Sequence, residues 1–179
     1  MLKQHNNLFP VMILIANLLL GCAGTSTQES TGEYLDDSTI TAKVKSAFVG
    51  DKKVSALDIQ VVTFKGVVQL SGFASNQQEI GRAVELARKV PGVKSVKNDI
   101  RHTSQSTGAY LDDSAITAKV KSAFVADKEV SALDIKVETT NGVVQLSGFA
   151  RSRQEIDRAN ELVRNIQGVK LVENDIQLK

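Results

Sequence analysis

The chain writes one segment twice. Residues 30–103 return at 106–179 with a constant offset and no gap, and roughly 49 of the 70 positions from 34–103 are identical in the second copy. Gly66-Val67-Val68-Gln69-Leu70-Ser71-Gly72-Phe73-Ala74, for example, returns intact at 142–150. Two copies are too few for a solenoid, in which several repeats must stack to bury one core. Each copy is therefore expected to fold as a small domain around its own core. Trp is absent and aromatics make up 4% of the 179 residues, so these cores must be aliphatic.

Each copy carries the same signals in the same order. Asp37 or Ser38 can cap a helix whose apolar positions Ile40, Val44, Ala47 and Phe48 share one face. Ile59, Val61 and Thr63 then alternate with Gln60, Val62 and Phe64 as in a strand. A turn at Lys65-Gly66, or Asn141-Gly142 in the second copy, leads into a returning strand with Val68 and Leu70 on its buried side. Ser75 opens a second helix that stops at Pro91-Gly92, and Val93 to Ile100 supplies the last strand. The expected fold is α+β: an αββαβ order with a three-stranded mixed sheet and both helices on one face.

The N-terminus has a different character. Lys3 precedes an apolar run from Leu8 to Leu20, too short to span a bilayer comfortably but suited to a secretory leader. Leu19-Leu20-Gly21-Cys22 resembles the lipobox of bacterial lipoproteins, although Leu20 is larger than is usual there. That resemblance implies cleavage before Cys22 and its lipidation. Ala23, where Asp would signal retention, points to the outer membrane, with the protein facing the periplasm. The expected organisation is a signal peptide at 1–21, a flexible tether at 22–33, domains at 34–102 and 110–179, and a linker at 103–109.

The Asp-Asp-Ser helix, the Gly-Val-Val-Gln-Leu-Ser-Gly hairpin and the final Asn-Asp-Ile strand together resemble the BON domain, in both copies. A lipobox followed by two such domains is similar to the dual-BON lipoproteins and osmotically induced periplasmic proteins of Gram-negative bacteria. The resemblance implies a non-enzymatic envelope role: contact with anionic phospholipid or envelope proteins, including outer-membrane assembly proteins, and support of outer-membrane integrity under stress. A periplasmic, chaperone-like protein that binds polypeptides is the alternative.

Composition excludes much else. A formal net charge of +2 does not suggest a nucleic-acid binder. One cysteine and two histidines, with His5 in the leader, supply no metal site, and no cofactor or small-molecule substrate is expected. Asp36-Asp37 and Asp112-Asp113 read as helix caps that favour the helix dipole, not as a catalytic pair. Gly66, Gly72, Gly142 and Gly148 flank strands instead of opening helices, so they do not cradle phosphate.

Two sets of residues stand out as candidate contact sites. Lys43 and Lys45, with Lys119 and Lys121, flank the apolar stripe of the first helix in each copy. There they can reach phosphate headgroups while the stripe faces either the core or lipid. On the outer sheet face, Val62, Phe64 and Val67 form an apolar cluster where the second copy has Glu138, Thr140 and Val143. Such a patch is expected to be covered, by the second copy or by a partner protein, with Leu171 as a reciprocal contact.

Overall fold

The computed structural model describes residues 31–103 and 109–179; the lipidation site Cys22 lies outside the described residues. The first repeat consists of α1 (Thr31–Val49), β1 (Ile59–Phe64), β2 (Val67–Ala74), α2 (Gln77–Arg88) and β3 (Ser95–His102). The second follows with α3 (Ala109–Ala126), β4 (Ile135–Thr140), β5 (Val143–Ala150), α4 (Arg153–Arg164) and β6 (Leu171–Leu178). Each repeat is an α+β domain with one mixed sheet, in the orders β1-β2-β3 and β4-β5-β6. The hairpin strands pair antiparallel, and the strand after the second helix pairs parallel to the central one.

The helix stripe belongs to the core. Ile40, Val44 and Phe48 are buried against Val61, Val68, Leu70 and Ile100 on the inner sheet face, and Ile80, Ala83 and Ala87 of α2 close the same cluster. The second repeat builds the equivalent core around Val120, Phe124, Val137 and Leu146. Aliphatic side chains at these spacings bury one face of each helix and each strand, which is what the periodicities demand.

Two local expectations are corrected. Helix α1 begins at Thr31, so it takes in part of the segment read as tether, and Asp37 lies inside the helix rather than capping it. Asp37 is buried (4% exposed), and its carboxylate accepts the backbone N–H groups of Lys65 and Gly66. Asp113 accepts those of Asn141 and Gly142 in the same way. The carboxylate is thus a clamp between helix and hairpin. It satisfies the amides of a turn whose two central residues both have positive φ, 51° and 80° in the first repeat. The cap of α2 is Asn76 rather than Ser75: its side chain accepts from the Glu79 N–H at 2.8 Å. Ser75 instead donates its hydroxyl to the buried Glu79 carboxylate, which also accepts the Ser55 N–H and so draws the loop after α1 onto the start of α2.

Candidate functional site between the two repeats

The outer faces of the two sheets lie against each other across their central strands, β2 and β5. The contacts of the central strands come in equivalent pairs, so the repeats are related by a pseudo-two-fold axis, although Arg101 with Glu173 and Asp175, and Gln60 with Glu138, bridge the repeats on one side alone. Gln69 Nε2 donates to the Asp175 carbonyl at 2.8 Å, and its Oε1 accepts the Gly148 N–H at 2.8 Å. In return, Gln145 Nε2 donates to the Asp99 carbonyl at 2.6 Å and its Oε1 accepts the Gly72 N–H at 2.6 Å. The Ser71 and Ser147 hydroxyls meet at 2.6 Å on the axis. All four side chains are buried; each glutamine Nε2 also donates to a carboxylate of its own repeat, Asp99 or Asp175, while each Oε1 is satisfied by the glycine N–H across the interface.

Glycine is required at the receiving positions. Gly72 and Gly148 have φ of +106° and +122°, and a Cβ on either would lie 2.1 Å from the carbonyl oxygen of Asp58 or Asp134. Only a residue without a side chain permits both this backbone turn and the close approach.

Two clefts flank the axis. One, of about 630 Å³, is lined by Leu57, Asp58 and Phe73 of the first repeat and by Thr117, Lys121 and Glu138 of the second. The other, of about 350 Å³, is lined by Thr41, Val62 and Phe64 of the first repeat and by Leu133, Lys136 and Phe149 of the second, with Lys179 beside them. The clefts occupy equivalent positions, but their chemistry differs. Burial raises the pKa of Glu138 in the first; Lys121 and the Gln60 hydrogen bond oppose the rise, and Asp58 adds to it. In the second cleft, burial lowers the pKa of Lys136, and the nearby charges of Lys45 and Lys121 push it further down against the pull of Asp134.

The residues singled out from sequence separate into groups. Phe64 stacks at a tilt on Phe149, ring centroids 5.0 Å apart, with Val62 and Val67 half-buried beside it. Leu171 takes no part in that pair and remains 52% exposed. The strand register explains why: Leu171 is opposite Val143 at the start of β5, whereas Phe149 is six residues further along, a separation of about 20 Å. Lys45 and Lys121, from different repeats, both come within electrostatic range of Lys136. Lys43 and Lys119 do not join them. Each lies in a separate groove beside its own hairpin turn.

The family model described as BON domain matches residues 36–103 and again 112–179, nearly all of both repeats. The chain belongs to the BON-domain family. Among curated relatives, osmotically-inducible protein Y of Escherichia coli is 41% identical over 157 residues, covering 86% of this chain and 78% of that protein. Outer membrane lipoprotein DolP of Haemophilus influenzae is 33% identical over 145 residues, covering 80% and 75%. A 21 kDa hemolysin of Actinobacillus pleuropneumoniae is 34% identical over 145 residues, covering 80% and 74%.

Sequence reasoning did not find Gln69, Ser71, Gln145, Ser147 or Lys136. The first four are polar residues on the outer faces of the two central strands, a pattern that sequence alone does not distinguish from a solvated surface. One signal was present: on the outer face of β2 all of Val67, Gln69, Ser71 and Phe73 are identical in the second copy, whereas Gln60, Val62 and Phe64 of β1 all differ. A pseudo-symmetric contact requires both partners to keep the same residue; an unequal cleft does not.

Proposed function

We propose that this BON protein is a non-enzymatic envelope protein, anchored at the outer membrane through Cys22, whose paired domains contact anionic phospholipid and support membrane integrity under osmotic or envelope stress. The observation that carries the reading is the convergence of Lys45 and Lys121 on Lys136, three cations from three elements and both repeats. Val49 and Val125 stand one helical turn beyond Lys45 and Lys121 and are 77% and 76% exposed. The helix stripe itself is used by the core, so the contact is electrostatic and shallow, not an inserted helix. The names of two relatives, one osmotically inducible and one an outer membrane lipoprotein, support the setting. A lipid anchor supplies most of the membrane affinity, so weak contacts from the domains suffice to orient the protein.

Flotation of residues 31–179, which contain both cores and the interface, with vesicles tests this. Binding is expected with vesicles containing phosphatidylglycerol, to weaken with added salt, and to fall several-fold in Lys45→Gln and Lys121→Gln. Equal binding to purely zwitterionic vesicles, or full binding by the double variant, would overturn it.

A further inference from the structure

The two clefts beside the pseudo-two-fold axis are built from equivalent positions, yet the residues that differ between the copies give them opposite characters. Where one has Glu138 and Thr140, the other has Val62 and Phe64. The second cleft has an aromatic floor, Phe64 on Phe149, and a highly exposed apolar rim residue, Leu133 at 86%. Lys179 is paired with Asp134 at 3.0 Å, and both oxygens of Asp37 are taken by turn amides. Among the described residues Lys136 donates only to the Leu133 carbonyl, at 2.9 Å, and the charges acting on it are those of Lys45 and Lys121, opposed by Asp134. An apolar trough thus ends beside an ammonium that, among the described residues, has no carboxylate in hydrogen-bond contact.

We propose that this cleft binds a single-chain anionic amphiphile, specifically a long-chain carboxylate, with its head at Lys136 and its tail across Val62, Phe64 and Leu133. The volume of about 350 Å³ lies at the small end of ligand sites, which suits one chain rather than two. One ammonium without a hydrogen-bonded carboxylate, with Asp37 and Asp134 nearby, suits a monoanion better than a dianionic phosphate. Such a ligand is held between the domains, so the proposal stands apart from whether the lysines touch a bilayer. It would also link the repeats, because head and tail contact residues of both.

The test is calorimetric titration of residues 31–179 with sodium dodecanoate below its micelle-forming concentration, alongside dodecyl phosphate and uncharged dodecyl maltoside. One dodecanoate per chain is expected, with binding at least tenfold tighter than that of the maltoside and tighter than that of the phosphate. Lys136→Gln and Phe64→Thr place in this cleft the residues that the chain already has at, respectively, the equivalent position 60 and the equivalent position 140, so neither is foreign to the fold. Each should weaken dodecanoate binding at least tenfold, whereas Lys119→Gln should leave it unchanged. Absence of binding, equal binding of the neutral detergent, or full affinity in both cleft variants would overturn the proposal. Preference for the phosphate would overturn the carboxylate assignment. Matching circular dichroism spectra and urea midpoints ensure that a lost signal reports the cleft rather than unfolding.

Discussion

Replacing Gln69 with Ala should loosen the whole contact between the repeats, and the size of the effect follows from the bonds it removes. Gln69 accepts the Gly148 N–H and donates to the Asp175 carbonyl, both across the interface. Truncation leaves the buried Gly148 N–H and the half-buried Asp175 carbonyl without these partners, at about 1–3 kcal/mol each. Water entering the vacated space recovers part of that, so a net cost of about 2–4 kcal/mol to the docked state is expected. At about 1.4 kcal/mol per factor of ten, opening of the interface becomes roughly 30 to 1,000 times more frequent. Amide hydrogen exchange reads this directly. The Gly148 amide should lose protection by that factor, and the Gly72 amide, still bonded to Gln145, should lose it too if the interface opens as one unit. Amides within a module, such as those of the β1–β2 ladder, should change much less. Gln145→Ala should give the mirror-image pattern. If Gly72 and Gly148 both keep wild-type protection in Gln69→Ala, the glutamines do not hold the repeats together and the reasoning fails.

Other outcomes are expected from the same structure. Asp37→Ala removes two charge-assisted bonds to the hairpin turn and should cost about 2–4 kcal/mol in urea unfolding, with Asp113→Ala equivalent in the second repeat. Gly72→Ala should destabilise the fold by thermal melting, because its Cβ would lie 2.1 Å from the Asp58 carbonyl oxygen at a φ of +106°. The pKa of Glu138 lies above its ordinary 4.5, chiefly through burial, so the fold favours the neutral carboxyl. Its contribution is fully present below the unfolded-state value and is lost as pH rises through the folded one. Glu138→Gln should therefore raise the unfolding midpoint at neutral pH, and the gain should shrink as pH falls toward 4.5 and below. A gain that persists unchanged in acid would contradict the assignment.

Much of each module was legible in the sequence. Alternation along β1, the Asn141-Gly142 turn and the Ile40, Val44, Phe48 spacing each report a local constraint, and all three elements follow from them. Asp37 was misread because a carboxylate near a helix start has an adequate local role as a cap. Its actual partners lie 28 and 29 residues away, beyond what a local pattern can express. The apolar cluster at Phe64 was visible because exposed aromatics are costly, but its partner ring was not: choosing Phe149 over Leu171 requires knowing which strands cross. Gln69 and Gln145 carry no local signal, since a glutamine reads alike whether it faces solvent or a carbonyl of the other repeat. The convergence of Lys45 and Lys121 on Lys136 likewise exists only once the two sheets are placed together.

The pair of serine hydroxyls meeting on the axis has a consequence for how such a protein can change over time. Two separate copies of one module docked this way would form an isologous dimer, in which every substitution appears twice and each side of the contact must remain its own complement. Covalent fusion removes that obligation. A change such as Phe for Thr can then be made on one side alone, while the contacts that still require matched partners stay matched. A symmetric dimer cannot hold one recess lined by a buried glutamate and one floored by a phenylalanine pair at equivalent positions; a single chain made of the same two modules can, and this one does.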